Sequence, residues 1–580
     1  MPNKPEPSAG AITILEVLKL LDDRFAALSA AVERRGFAFW VGSGISLGRA
    51  PNVGEMLGRA LEHVRRRIDQ ADVNCRFRQA LHQAIRMSGL DEVRDAHIQL
   101  NVPFDHWPEK QHIIDGLWNR YADVLDIRVT GEAEDYMLWE AVDVRSTYGT
   151  IEDPDCEHLC IAMLVMEGAV ADIASANWDG LIEAAVKRLS GDARLLQVVV
   201  GPADLRDEPA RTRLIKFHGC AIHCIRDPET YRHCMVATRP QITFWPHNGA
   251  LAALRDVLKG VATNSRTLMV GLSLQDTNLQ DLFAAARATL PWSWPCAPGA
   301  QGHVFCEDAL GDHQVNMLRV VYGAAYGVHG RDIESSALLR AYAKQALLAL
   351  VLCVVSDKLR MLAEMACGAF ARELSDGMKC LRDSVAAAAV GDHLAFVDEL
   401  VRLWSRGIAL FRRGDQPPAD CDGYEAISPL PIQEMTADPN VLNSGLPELA
   451  VGLALLGRGE AAGKWSLSLP PAAEITCGAL QATGTWDGAR ATQVYFVNGT
   501  AAALELMKRG AFAKRNVVVI HSDDAWNRMR DVGSPYHRSP MAPRGRERQP
   551  AVRHASIRQL LQSAADFAAL EQRFEEVVTL

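Results

Sequence analysis

An apolar segment that ends in a glycine turn most constrains what this chain can fold into. The segment Phe37-Ala-Phe-Trp-Val41 predicts a buried strand, and Gly42-Ser-Gly-Ile-Ser46 follows it directly, ahead of a predicted helix. Glycines at 42 and 44 permit a tight turn and let backbone amides approach a pyrophosphate, while the helix offers its partly positive N-terminus. The segment therefore predicts a phosphate-binding turn in an α/β fold, with an ordinary strand-to-helix connection as the alternative.

Three further segments repeat this pattern downstream. The apolar residues 169–174 precede Ser175-Ala-Asn-Trp-Asp179, and they are followed by Leu214-Ile-Lys-Phe-His-Gly219 and Leu268-Met-Val-Gly-Leu-Ser-Leu-Gln-Asp276. Each segment predicts a buried strand that ends in polar residues and glycine. Ligands of open α/β sheets bind beyond the carboxyl ends of the strands, so the four strand ends are expected to meet at one crevice.

This ordered set of motifs resembles the sirtuin family of NAD-consuming enzymes. Gly-Ser-Gly-Ile-Ser stands for the family's Gly-Ala-Gly-Ile-Ser, Ala-Asn-Trp-Asp for its Gln-Asn-Ile-Asp, Phe-His-Gly for its Leu-His-Gly, and Gly-Leu-Ser-Leu for its Gly-Thr-Ser-Leu. His158, ahead of an apolar helix, is similar to the family's histidine before the Asn-Asp strand. The resemblance covers roughly residues 36–330.

The resemblance implies a site for NAD+ as substrate. Asn177 would hold the ribose or the attacking water, His218 would accept a proton, and Asp179 would stabilise the nicotinamide side or orient Asn177. The residues implied in cofactor binding are Gly42, Ser43, Gly44, Ile45 and Ser46 on the phosphate side, Gly271 and Ser273 for the adenosine half, and Asp276.

Two departures separate the chain from protein-deacetylase sirtuins. Those enzymes hold a structural zinc with two Cys-x-x-Cys pairs, whereas Cys220, Cys224 and Cys234 form no such pair here, so we expect buried thiols and no zinc. The deacetylase signature Ile-Pro-Asp-Phe-Arg is also missing, and Arg49-Ala-Pro-Asn-Val-Gly-Glu-Met-Leu57 stands in its place. That segment looks more like the sirtuin-like NAD hydrolases of bacterial anti-phage systems.

Composition and length favour a cytoplasmic enzyme with several domains. The 580 residues exceed what one core usually supports. The 13 cysteines are scattered and odd in number, which argues for a reducing compartment. The first ten residues are polar and Pro-rich, and the longest apolar run, 346–355, is too short to span a bilayer, so we expect neither a signal peptide nor membrane insertion. The net charge of −10 gives no global attraction to nucleic acid.

The predicted fold is an α/β Rossmann-like parallel sheet with a helical insertion, followed by a helical segment and a C-terminal α/β region. We expect a helix over 11–35, a helical insertion over 53–141 that serves as a packed cap, a lid or an oligomer contact, and sheet strands at 303–306 and 320–330. A second βαβ unit is predicted from strands 493–497 and 516–520 around a helix at 500–509, and its polar ends, Asn498-Gly499 and His521-Ser-Asp-Asp524, are loop caps or a second site. The predicted divisions of the chain are 1–35, 36–334, 335–415 and 424–580.

One local basic segment, residues 536–554, contrasts with the acidic whole. It mixes Arg with Pro and Gly and is either a solvated loop or an arm that contacts phosphate groups of nucleic acid or a partner. The arginines that would make this contact are Arg538, Arg544, Arg546, Arg548 and Arg553.

The resemblance predicts an NAD+ hydrolase that releases nicotinamide and ADP-ribose as an abortive-infection effector. A sirtuin-like domain followed by a non-catalytic region is similar to the sirtuin-APAZ partners of short prokaryotic Argonautes and to sirtuin-like partners of HerA-type ATPases, and a homo-oligomer is also expected. The alternatives are an NAD-dependent protein deacylase and a non-catalytic module that senses NAD or ADP-ribose.

Overall fold

A computed structural model describes residues 7–90, 98–296, 301–415, 423–468, 478–486, 488–513, 516–522 and 552–578. Its first sheet has seven strands, all parallel, in the order β3-β4-β2-β1-β5-β6-β7. The strands are β1 (Phe37–Val41), β2 (Asp172–Ser175), β3 (Leu196–Val199), β4 (Thr212–Lys216), β5 (Arg266–Val270), β6 (His303–Cys306) and β7 (Leu338–Leu339). The predicted Rossmann-like α/β class is confirmed.

The central strand β1 shows why the sheet is buried on both faces. Phe37, Phe39 and Val41 pack into one core, and Ala38 and Trp40 pack into the other. A parallel strand covered on both sides needs this continuous apolar run. Helices of the first layer are Ile14–Asp22, Ala26–Val32, Cys156–Met166, Leu181–Ser190 and Ala343–Ala366, and helices of the second are Arg239–Phe244, Ala252–Asn264, Thr277–Thr289, Asp312–Tyr322 and Ala324–Ala337.

The insertion between β1 and β2 is helical, as predicted, and has its own core. Its first helix begins at Val53 because the Asn52 side chain accepts the Glu55 amide in a reciprocal capping box. Its helices are Val53–Arg66, Arg76–Met87, Lys110–Leu117, Tyr121–Leu125 and Val144–Tyr148, with a π-helical turn at Met137–Ala141.

Several sequence predictions about local structure are wrong. Residues 320–330 are helical, and the sheet ends instead at β7, because Met317, Leu318 and Val321 form one buried face of a helix. The helix expected over 11–35 is two helices separated at Asp23, and a short 3-10 turn, Ser43–Ser46, follows β1 where a helix was expected. The edge strand β3 was not predicted.

Helices connect the first sheet to a second, mixed sheet. The connecting helices are Ala343–Ala366, Ala371–Ala387 and His393–Arg413, and after them come Ile432–Met435, Pro439–Leu442 and Leu446–Ala461. The second sheet, in the order β12-β11-β10-β9-β8, has strands β8 (Trp465–Ser468), β9 (Leu480–Gly484), β10 (Thr492–Val497), β11 (Val517–His521) and β12 (Arg553–Ser556). The predicted βαβ unit is confirmed, since the helix Thr500–Lys508 joins the parallel strands β10 and β11. Helices Ile557–Ser563 and Phe567–Val578 follow β12.

The helix Ala343–Ala366 belongs to both halves of the molecule. Its residues from Ala343 to Val354 pack into the core of the first sheet, and Leu359, Leu362 and Ala363 pack into the core of the second. Between them, the buried ammonium of Lys358 donates to a carboxylate oxygen of Glu167 at 2.8 Å. Among the described helices, none combines the length and apolar character needed to cross a membrane.

Candidate active site

Four neighbouring strands bring the predicted site residues to one edge of the first sheet. In the order β4-β2-β1-β5, Lys216 pairs with Ser175, Ser175 with Val41, and Val41 with Val270. The chain therefore leaves all four strands at the same level. The amide of Ala176 still donates to Val41 O at 3.0 Å, and the amide of Gly42 to Val270 O at 3.1 Å.

The glycine turn after β1 packs backbone to backbone against the turn after β5. A Cβ on Gly44 would lie 2.5 Å from the Cα of Gly271, and a Cβ on Gly42 would lie 2.5 Å from the Gly271 carbonyl oxygen. Gly271 also has a φ of +61°, in the left-handed region. The amide of Gly44 donates to Gly271 O at 3.0 Å, so these glycines join two loops closely in this structure, and their contact with phosphate stays a prediction.

Ser46, at the end of the glycine turn, is the centre of a buried hydrogen-bond network. Its hydroxyl donates to Oδ2 of Asp179 at 3.0 Å and accepts from Nδ2 of Asn177 at 3.2 Å. Nε2 of His158 lies 3.2 Å from the same oxygen. Because the amide of Asp155 donates to Nδ1 of His158, the proton of that ring belongs on Nε2 and is donated to Ser46.

The network fixes Asn177 and Asp179 and leaves one acceptor for another group. Asp179 also accepts from the amide of Leu181 at the start of a helix, and the buried Lys216 ammonium donates to its carbonyl oxygen. The amide oxygen Oδ1 of Asn177 has no hydrogen-bond partner among the described residues, although the side chain is only 6% exposed. A ligand hydroxyl is the kind of donor that such an oxygen requires.

The network extends to the long helix that spans both cores. The ammonium of Lys344, in the first turn of that helix, lies 3.0 Å from Oδ2 of Asp155. Asp155 caps the helix Cys156–Met166 and holds His158 through its backbone amide. His158 was noted in the sequence only by resemblance, and its contact with Ser46 depends on tertiary structure.

His218 lies beyond β4 and faces two residues that follow β5. Its Nε2 is 3.0 Å from Nδ2 of Asn278, and its Nδ1 is 3.9 Å from Oδ2 of Asp276. Asp276 in turn accepts from the hydroxyl of Tyr121, in the helical insertion, at 2.8 Å. Burial lowers the pKa of His218, the nearby Asp276 carboxylate acts in the opposite direction, and the net result favours a neutral ring at neutral pH.

The remaining predicted residues divide between surface and core. Ser43 and Ser273 are exposed at the same edge, whereas the side chain of Ile45 is buried in the core of the first sheet. Sequence reasoning missed Tyr121 and Asn278. Asn278 had a local signal, since it follows Asp276 by two residues, but Tyr121 has none because it lies 155 residues from its partner.

The cysteines and the second sheet show structural contacts. Cys220, Cys224 and Cys234 are buried, and within the described part of the chain no group of three metal-ligating side chains forms a metal site. The Ser522 hydroxyl after β11 donates to the carbonyl of Asn498 after β10, which is a loop-capping contact.

The predicted basic arm lies largely outside the described residues. Arg538, Arg544, Arg546 and Arg548 fall there. Arg553, in β12, donates to the carbonyl oxygens of residues 577 and 578 at 3.0 and 2.9 Å and so caps the C-terminal helix. Contact with nucleic acid stays a prediction.

Comparison with known proteins gives a family match over part of the first sheet. No protein of curated function matches this chain. The family described as SIR2-like domain matches residues 172–293, a range that contains β2, β4 and β5 with Asn177, Asp179, His218 and Gly271. This match supports a sirtuin-like domain in the chain and suggests an NAD-dependent enzyme.

Proposed function

We propose that this protein hydrolyses NAD+ at the bond between nicotinamide and ribose. The observation that carries the proposal is the convergence of Ser46, Asn177, Asp179 and His218 at the ends of adjacent parallel strands. This is the edge where α/β sheets bind nucleotides. The SIR2-like match, which covers Asn177, Asp179 and His218 but not Ser46, supports NAD+ as the substrate.

The chemistry needs an oriented ribose, a stabilised cation and a base. The C1′–N bond breaks and its electron pair stays with nicotinamide, so an oxocarbenium-like centre develops on the ribose. A water oxygen then bonds to C1′, and the proton of that water passes through His218 to solvent. Neutral imidazole suits this role, because a base must have a free lone pair at the working pH.

Asn177 and Asp179 would act on the ribose from a fixed position. The unpartnered amide oxygen of Asn177 would accept a ribose hydroxyl or the attacking water. The Asp179 carboxylate would stabilise the positive charge that develops on the ribose. A charge is stabilised best by groups that are already in position before the reaction. Ser46 holds both side chains and so sets their spacing.

In this structure the candidate centre is closed to solvent. The exposed fractions of Asn177, Asp179 and His218 are 6%, 5% and 5%. NAD+ therefore needs the centre to open, and Asn278 must release Nε2 of His218 before that nitrogen accepts a proton. This closure supports an enzyme whose basal activity is low and rises when a signal opens the centre.

The decisive assay incubates the purified full chain with NAD+, with and without an acetylated peptide, and follows nicotinamide and ADP-ribose by chromatography. We expect hydrolysis without peptide, and a loss of about 10²- to 10⁴-fold in His218→Ala. Asn177→Ala should lose activity as well. His247→Ala, at an exposed histidine of the same domain, should keep it.

Other outcomes would support other functions. Turnover that requires the acetylated peptide would indicate a deacylase. Tight binding of NAD+ without turnover in any sample would indicate a sensor module.

The biological setting is part of the proposal. An NAD+ hydrolase that depletes the cofactor would serve as an anti-phage effector in the cytoplasm, triggered by a short Argonaute, a HerA-type ATPase or self-association. Expression with each candidate partner during phage challenge tests this, with cellular NAD+ as the readout. NAD+ that stays constant in infected cells would contradict it.

A further inference from the structure

We propose that Asp276, clamped by Tyr121 from the helical insertion, is the positioning carboxylate of His218. The catalytic role of Asp276 rests on the proposed function, whereas the contacts of Asp276 with His218 and Tyr121 do not. It gives the insertion a role at the active centre, because one of its side chains holds the group that faces the histidine.

The hydrogen bond between Asn278 and His218 selects one tautomer of the ring. Asn278 presents its Nδ2 donor to Nε2, so Nε2 carries the lone pair and Nδ1 carries the proton. The opposite arrangement would place two acceptors, Nδ1 and the Asp276 carboxylate, against each other. The Nδ1 proton therefore faces Oδ2 of Asp276, and the nitrogen available to substrate is Nε2.

The Asp276 carboxylate is held on its far side. Its Oδ1 accepts from the hydroxyl of Tyr121 at 2.8 Å, and Tyr121 begins the helix Tyr121–Leu125. That helix is tied down by Asp123, which binds the guanidinium of Arg239 through both carboxylate oxygens at 3.0 and 3.1 Å. Tyr121 therefore reaches Asp276 from a helix that is itself paired to Arg239.

The distance of 3.9 Å between Nδ1 and Oδ2 fits a centre that is not yet engaged. Hydrogen bonds of catalytic groups are often long without substrate and shorten in the reactive complex. Among the described residues, the charged or titratable groups near this pair are Tyr121 and Arg239, with Asp123 paired to Arg239. A carboxylate at Nδ1 fixes the ring and makes Nε2 more basic, as in other histidine bases.

The test measures the pKa of His218 in the full chain without any substrate. Deuterium exchange at the imidazole C2 position, followed by mass spectrometry across a pH series, reports each histidine separately. The tryptic peptide 217–226 also contains His223, which serves as an internal reference after fragmentation. The variants are Asp276→Asn and Tyr121→Phe.

Matched controls make the same chemical changes elsewhere. Asp281→Asn removes an exposed carboxylate from the helix that follows Asp276. Tyr136→Phe removes a hydroxyl of the insertion that contacts His63. Thermal unfolding of every variant identifies any loss of folding.

We expect Asp276→Asn to lower the pKa of His218, because the nearby negative charge that favours imidazolium is gone. Tyr121→Phe should lower it less, since the freed carboxylate turns towards solvent. Where hydrolysis is measurable, kcat should fall about 10²-fold in Asp276→Asn and about tenfold in Tyr121→Phe, with KM little changed.

The inference is overturned if the pKa of His218 in Asp276→Asn equals that of the wild type, or if Tyr136→Phe shifts it as much as Tyr121→Phe. Failure of the proposed function has a different signature, in which the pKa shifts occur and no sample hydrolyses NAD+.

Discussion

Replacement of Gly44 by alanine tests the loop contact that shapes the candidate site. The new Cβ would lie 2.5 Å from the Cα of Gly271 and 3.0 Å from its carbonyl oxygen. Carbon atoms in contact prefer about 3.5 to 4.0 Å, so one of the two loops must move by about 1 Å. Overpacking of this kind costs about 1 to 3 kcal/mol in the free energy of unfolding.

Two glycine controls separate the clash from other effects of alanine. Gly249 has no neighbour within 4 Å of a built Cβ and no left-handed φ, so Gly249→Ala should be neutral or stabilising by up to about 1 kcal/mol. Gly48 also has free space but a φ of +82°, so Gly48→Ala isolates backbone strain of about 1 kcal/mol.

The assay is urea unfolding of the full chain followed by tryptophan fluorescence. Gly44→Ala should be less stable than Gly249→Ala by at least about 1 kcal/mol. NAD+ turnover should also fall, by up to about 10²-fold, since a shift of the turn displaces Ser46 and the groups it holds. Equal stability of Gly44→Ala and Gly249→Ala would refute the packing argument.

Two further predictions concern buried ionisable groups. Lys358→Met leaves the Glu167 carboxylate without its cation and should cost about 3 to 5 kcal/mol in urea unfolding, whereas adding Glu167→Gln should recover part of that loss. A pH series tests His303, because burial lowers the pKa of this histidine from 6.5 to about 3. The folded state therefore keeps this ring neutral, and the contribution of the ring to the free energy of unfolding is fully present above pH 6.5. Towards pH 4 the free energy of unfolding should decrease by about 3 kcal/mol, and His303→Gln should remove this decrease.

The sheet was predictable where burial on both faces dictates the sequence. In β1, β2, β4 and β5 a short apolar run ends at glycine or at a polar residue, and these flanking residues favoured a strand. The prediction for 320–330 failed because Val321 belongs to a helical face with Met317 and Leu318, which precede the segment. A short apolar run by itself does not distinguish a helix from a strand. The apolar run of the edge strand β3 is too short to distinguish a strand from a loop.

The site was predictable in its motif residues and not in its partners. Ser46 was expected at a phosphate, but its hydroxyl joins Asn177 and Asp179, which are more than 130 positions away. The same holds for Tyr121 and Asp276. Local sequence fixes where a strand ends, whereas the pairing of side chains between strand ends depends on strand order, and strand order is a property of the whole sheet.

The helix Ala343–Ala366 has a consequence for how this protein can be divided. A cut after residue 334 would remove the ten buried side chains that this helix contributes to one core, at Ala343 and 346–354. It would also remove strand β7 and take Lys344 away from Asp155. The sirtuin-like part would then lose a helix that covers one face of its sheet. It would also lose the cation that pairs with Asp155, the residue whose amide donates to His158. Fragments for crystallography or for activity assays should therefore keep this helix. A partner that pulled on the second sheet would transmit force along this helix, about 36 Å long, to the core of the first sheet.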